Sequence, residues 1–223
     1  MNQIIRSYLD AHIKEYEIES FTPSVAFEHF INKCIINRFT VDRFDPKDIM
    51  TDGGEIGLDG VAILLNGSVV TDLETCRAIY DQNCKVNAQF VFIQTKTSES
   101  FDGGEINTFL KGIKHFFEPK DERPETNTKM ENLIQIKDYI YTQSIGQSAK
   151  PTLEMYYVCC GKWNSTNSLS NSIATDVRFF KDTGDFSTVQ FHPYDKDKII
   201  TTYTEMRRKI SRSFTMEKRL PFY

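Results

Sequence analysis

The chain has 223 residues, of which 39% are apolar and 26% charged, and its formal net charge is −4. That length supports one substantial core, and the composition is that of an ordinary globular protein. The acidic balance argues against a strongly basic nucleic-acid coat, although a local basic patch is enough to hold phosphate. No run of about 18 apolar residues is present, which excludes a helical membrane span. The start, Met1 to Arg6, lacks the basic region and apolar run of a secretory signal, so the expected location is cytoplasmic. Five cysteines, an odd number with only Cys159 and Cys160 adjacent, read as reduced and mostly buried. There is no Cys-x-x-Cys or Cys/His cluster to hold zinc, and His12, His29, His115 and His192 show no metal spacing.

In chain order, residues 2–16 read as an amphipathic helix. Thr22-Pro23 opens a second, with Thr22 as N-cap and apolar Phe27, Phe30, Ile31 and Cys34 at helical spacing to about residue 38. Residues 40–56 read as a loop. A strand over 57–65 meets Asn66-Gly67, a type I′ hairpin signal, and a short strand follows through Val70. Thr71 or Asp72 caps a helix to about residue 82. Residues 86–96, rich in Val, Phe and Ile, form a strand long enough to be central in a sheet. Helices over 105–118 and 129–143 flank a charged loop, 118–127. A strand at 152–160, a helix at 168–181, a strand at 187–192 and a basic helix at 195–213 complete the order. This is an α/β chain with a mixed sheet and helices on both faces, in a single domain over 1–223. Residues 1–20 form its leading helix, and 214–223 read as the start of a linker to a downstream region.

Two separated segments carry the chemistry. In Gly54-Glu55-Ile56-Gly57-Leu58-Asp59-Gly60, an acid stands where a Gly-rich turn enters an apolar strand. In Phe92-Ile93-Gln94-Thr95-Lys96, an apolar strand ends in Gln-x-Lys. Strand alternation puts Asp59 on the face of Val61 and Ile63, and Gln94 and Lys96 on the face of Phe90 and Phe92. A buried Asp or Lys needs a partner or a metal. Asp59 offers a carboxylate, Gln94 a neutral carbonyl oxygen and Thr95 its backbone carbonyl, a hard-oxygen set suited to Mg²⁺ or Mn²⁺, weakly bound without substrate. Lys96 is suited to position the attacking water and to stabilise charge on phosphorus. Glu28 lies among apolar Val25, Ile31 and Ile35 on the second helix, so it faces inward and can ligate the same ion.

Each feature also has a plainer reading. Asp59 serves as a turn residue between glycines, Gln94 and Lys96 as an exposed strand end, Glu28 as a solvated helix acid. Glu55 is a competing acid in the same turn. Asp102-Gly103-Gly104-Glu105 reads as a turn and helix start, with Glu105 favourable near the helix dipole. Ser98, two residues past Lys96, together with Lys111 and Arg208, are candidate substrate contacts. Arg208 belongs to the basic run 207–212, which reads either as a solvated helix face or as a DNA-backbone contact.

The pattern Gly-x-x-Gly-x-Asp-Gly, followed by an apolar strand ending Gln-x-Lys, resembles the Mrr-like branch of the PD-(D/E)xK nucleases. More closely, Ala26-Phe27-Glu28, Gly57 to Ile63, Phe92 to Ser98 and Phe101 to Ile106 resemble the N-terminal domain of the abortive-phage-infection (AIPR) family. So does Met155-Tyr156-Tyr157-Val158 with Gly161 and Trp163. The resemblance covers most of the chain and is strongest over 20–120. It implies a restriction-endonuclease-like α/β/α core with Glu28, Asp59, Gln94 and Lys96 in the catalytic positions. It further implies metal-dependent hydrolysis of DNA in bacterial phage defence, and a downstream region outside this chain. The partners expected are DNA, or alternatively RNA, with no membrane and with a homodimer left open. The alternatives are an RNase using the same site and a non-cleaving domain that binds nucleic acid or protein.

Overall fold

The computed structural model describes residues 1–53, 57–147, 149–164 and 166–212, with the side chains of 145–147 and 209–212 outside the description. Glu55 and the segment 214–223 therefore lie outside the described residues.

Five strands make one sheet: β1 (Gly60–Leu65), β2 (Ser68–Val70), β3 (Ala88–Lys96), β4 (Thr152–Cys159) and β5 (Thr188–Tyr194). Their spatial order is β2-β1-β3-β4-β5. β1 is antiparallel to both β2 and β3, whereas β3, β4 and β5 are parallel. The β1–β2 hairpin turns at Asn66 and Gly67 with φ of 53° and 86°, the double positive φ of the expected type I′ turn.

Seven α-helices are described: α1 (Gln3–Tyr16), α2 (Pro23–Ile36), α3 (Leu73–Gln82), α4 (Gly103–Phe117), α5 (Thr128–Gln147), α6 (Asn167–Asp182) and α7 (Lys196–Arg212). They cover both faces of the sheet, giving an α/β/α sandwich. Val61, Ile63, Leu65, Phe90 and Phe92 face α3, α4, α5 and α6, while Ala62, Leu64, Val91 and Ile93 face α1, α2 and α7. Cover on both sides is why β1 is buried at every position and reads as a continuous apolar run rather than an alternating one. All five cysteines are free thiols, and four of them are buried. None of the described helices is long and apolar enough to cross a membrane.

The caps follow from local chemistry. Thr22 Oγ1 accepts from Val25 N–H at 3.4 Å at the start of α2, and Asp72, rather than Thr71, accepts from Thr75 N–H at 2.8 Å at the start of α3. The structure departs from the sequence reading in the approach to β1. A 3₁₀ turn, Pro46–Ile49, interrupts the expected loop, capped by Asp45. The strand begins at Gly60 instead of residue 57, because Gly57 sits in a turn with φ of 65°.

Candidate functional site

Asp59 is held by its backbone before its side chain does anything. Its N–H donates to Ile93 O at 3.0 Å, extending the β1–β3 pairing by one residue, and its carbonyl accepts from Thr51 N–H at 3.2 Å. Thr51 Oγ1 also donates to Leu58 O at 2.6 Å. The glycines on either side are required by their neighbours. A Cβ on Gly57 would lie 2.8 Å from the backbone of Phe109 in α4, besides needing an unfavourable positive φ. A Cβ on Gly60 would lie 2.5 Å from the Asn32 side chain in α2. Asp59 is thus wedged between the two helix layers at the end of the sheet.

The carboxylate meets the C-terminal end of β3. Asp59 Oδ2 accepts from Thr95 N–H at 2.7 Å, Thr95 Oγ1 at 2.9 Å and Gln94 Nε2 at 2.8 Å. Three donors and the charge of Lys96 favour the ionised form, yet burial outweighs them and raises the carboxyl above its ordinary range. Gln94 is therefore turned with its amide nitrogen toward Asp59. Its Oε1 is buried and has no hydrogen-bond partner among the described residues.

Glu28 lies on α2, in the helix layer across the sheet from α4, and among the described residues it makes no hydrogen bond or ion pair with Asp59, Gln94 or Lys96. α2 packs on the face of the sheet opposite to that of Val61, Phe90 and Phe92. The Glu28 carboxyl is pushed up to about 7, first by burial and then by the negative charge of Asp59, with Lys96 partly opposing. Charge alone links Glu28 to Asp59 and Lys96.

Lys96 comes from the face of α4, where its Nζ pairs with Glu105 Oε1 at 3.1 Å. Glu105 stands in the first turn of α4, capped by Asp102, and its Oε2 accepts the Tyr157 hydroxyl at 3.0 Å. Sequence reasoning treated Glu105 as a helix-start acid and missed this pairing. Asp102-x-x-Glu105 is a local capping pattern, and nothing local signals that α4 returns over the end of β3.

Ser98 is exposed and its hydroxyl donates to Ser100 O at 3.3 Å, while its carbonyl accepts from Cys160 N–H at 3.0 Å. Lys111 is exposed on α4, and Arg208 is exposed on α7.

Among the described residues, no three His, Cys, Asp or Glu side chains gather into a metal-holding group. The donor set is instead two carboxylates, Glu28 and Asp59, with the orphaned Gln94 Oε1 and the Thr95 carbonyl nearby. An all-oxygen set with few charged ligands fits Mg²⁺, which keeps much of its water shell. The unpartnered acceptor at Gln94 and the raised carboxyl of Glu28 are what a cation would satisfy. No protein-family model, no curated protein and no solved structure matches this chain.

Proposed function

We propose that this chain is a metal-dependent nuclease-like domain that hydrolyses DNA phosphodiester bonds, and that it acts in the bacterial cytoplasm in defence against phage. The observation that carries the chemistry is the meeting of Asp59, Gln94 and Thr95 at the ends of β1 and β3, with Glu28 and Lys96 charge-coupled to them. The biological setting rests on the resemblance of the sequence to the AIPR family.

Glu28, Asp59, Gln94 and the Thr95 carbonyl are the groups that would hold Mg²⁺ or Mn²⁺. Such an ion, when bound, supplies Lewis acidity and makes water a better nucleophile. The protein's own part is positioning. Three donors fix the Asp59 carboxylate in one orientation. Lys96, steered by its pairing with Glu105, is the group that would orient water and stabilise the negative charge that builds on phosphorus oxygens. Water oxygen bonds to phosphorus and gives up a proton to solvent, the bridging P–O bond breaks, and the leaving oxygen takes up a proton from solvent, so that one water is consumed.

One observation favours a second reading. Lys96 already has a carboxylate partner, and residue 94 is neutral, as suits a domain of the same fold that binds nucleic acid without cutting it. Incubation of plasmid DNA with the protein and Mg²⁺ separates the two. Cleavage that disappears with chelator and with Lys96→Ala supports the nuclease, whereas DNA binding without cleavage supports the second reading. Parallel reactions on RNA identify an RNase.

A further inference from the structure

Asn32 lies one turn beyond Glu28 on α2, and residues four apart share a helix face. Its neighbours Ile31, Cys34, Ile35 and Ile36 are core residues. Asn32 itself is 0% exposed, and neither Oδ1 nor Nδ2 has a hydrogen-bond partner among the described residues. Its amide presses on Gly60, the residue after Asp59, closely enough that a Cβ there would meet Oδ1 at 2.5 Å and Nδ2 at 2.9 Å.

Buried amides are costly to leave unpaired, and native proteins pair nearly all of them. A leucine, with the same branched shape, would suit this apolar position without that cost. Gln94 Oε1, on the residue that donates to Asp59, is orphaned in the same way. Two buried amides with unsatisfied atoms therefore stand next to Asp59 in the fold, Gln94 of β3 against its carboxylate and Asn32 of α2 against Gly60, the residue that follows it. Each lacks a partner among the described residues, which leaves its amide free for a partner that is not part of the polypeptide.

We propose that Asn32 is a positioning residue of the cation site, its amide holding a water of the cation's shell beside Glu28 and Asp59. The inference rests on the cation-site reading given above. Mg²⁺ and Mn²⁺ retain waters that need fixed hydrogen-bond partners, and removing such an outer partner typically weakens affinity by about 10–100-fold.

The test is direct Mn²⁺ binding, by calorimetry or by the spin-resonance signal of free Mn²⁺, on the whole chain without DNA. Asn32→Leu should bind Mn²⁺ at least about tenfold more weakly, while its metal-free melting temperature holds or rises because an unsatisfied amide has gone. Asn32→Asp, which keeps an oxygen in the same place, should restore the affinity. If Asn32→Leu does not fold, Asn32→Ala carries the comparison with the same expected loss. Leu or Ala variants that bind Mn²⁺ like the parent overturn the role of Asn32 and leave the site reading intact. A parent protein that binds no Mn²⁺ overturns both.

Discussion

Lys96 Nζ stands 3.1 Å from Glu105 Oε1, and the other oxygen of Glu105 is occupied by the Tyr157 hydroxyl at 3.0 Å. Burial, with the nearby Glu105 charge, pushes the tyrosine hydroxyl up, so Tyr157 stays a donor. Glu105 is thereby aimed from below, and it in turn aims Lys96. Glu105→Gln keeps an acceptor for Tyr157 and removes the charge that steers the lysine. Cleavage should fall on the order of tenfold through misplacement of Lys96. Stability should change by no more than about 1 kcal/mol, because the pair is partly exposed. Initial rates and a urea melt on the same preparation check this. A rate increase would mean that Glu105 masks Lys96 instead of positioning it.

Lys96→Ala should abolish cleavage with little loss of fold. The residue ends β3 with about a third of its side chain exposed (32%), so no cavity opens in the packed centre. If the ammonium stabilises transition-state charge, the loss should exceed roughly a hundredfold. Circular dichroism should overlay that of the parent. Cleavage at the parental rate, in a preparation free of contaminating nuclease, would remove Lys96 from the mechanism.

The reason so much of the fold was legible is that its elements follow local rules. The Asn66-Gly67 turn, the Thr22 and Asp72 caps and the apolar runs of β1 and β3 each declare themselves within a few residues. Asp59, Gln94 and Lys96 stood out because strand alternation puts polar groups beside apolar faces only at strand ends. Non-local features were hidden. Asn32 sits in an apolar helical row and reads as core until its contact with Gly60 is seen. Glu105 reads as a capping acid until α4 is laid over β3. The His12–His29 pair, Nε2 to Nδ1 at 2.7 Å and buried between α1 and α2, has no sequence signature because its members lie 17 residues apart.

Gln94→Glu tests the donor set. The sequence alone suggests that a charged oxygen in this position keeps activity and tightens metal binding. The structure adds a cost, because Gln94 Nε2 now donates to Asp59 Oδ2 and a carboxylate would repel it. The metal-free variant should therefore melt lower than the parent, by an amount typical of a lost buried hydrogen bond to a charged group, about 1.5–3 kcal/mol. Mg²⁺ or Mn²⁺ should recover that loss, since the cation replaces the missing donor. Melting temperatures with and without the ion give both numbers. A variant as stable as the parent in chelator would show that the Gln94–Asp59 contact is dispensable.

Glu28 predicts a pH dependence of defined sign. Its carboxyl is raised from 4.5 to about 7 in the folded protein, mainly by burial and then by Asp59. The folded state therefore holds this proton more tightly than the unfolded chain, and stability is lost as pH rises from about 4.5 through about 7. His12, lowered to about 3 by burial and by its neighbour His29, acts with the opposite sign over part of that range, so only a difference isolates Glu28. Relative to Glu28→Gln, the parent should lose on the order of 1–2 kcal/mol between pH 5 and 8, after allowance for solvent screening of a half-buried group. A divalent cation favours the ionised carboxylate, so Mn²⁺ affinity should climb with pH across the same window and binding should release protons. Chemical denaturation at several pH values, with and without Mn²⁺, reads both effects. A flat difference between parent and Glu28→Gln would mean that Glu28 titrates like an ordinary surface acid and lies outside the cluster.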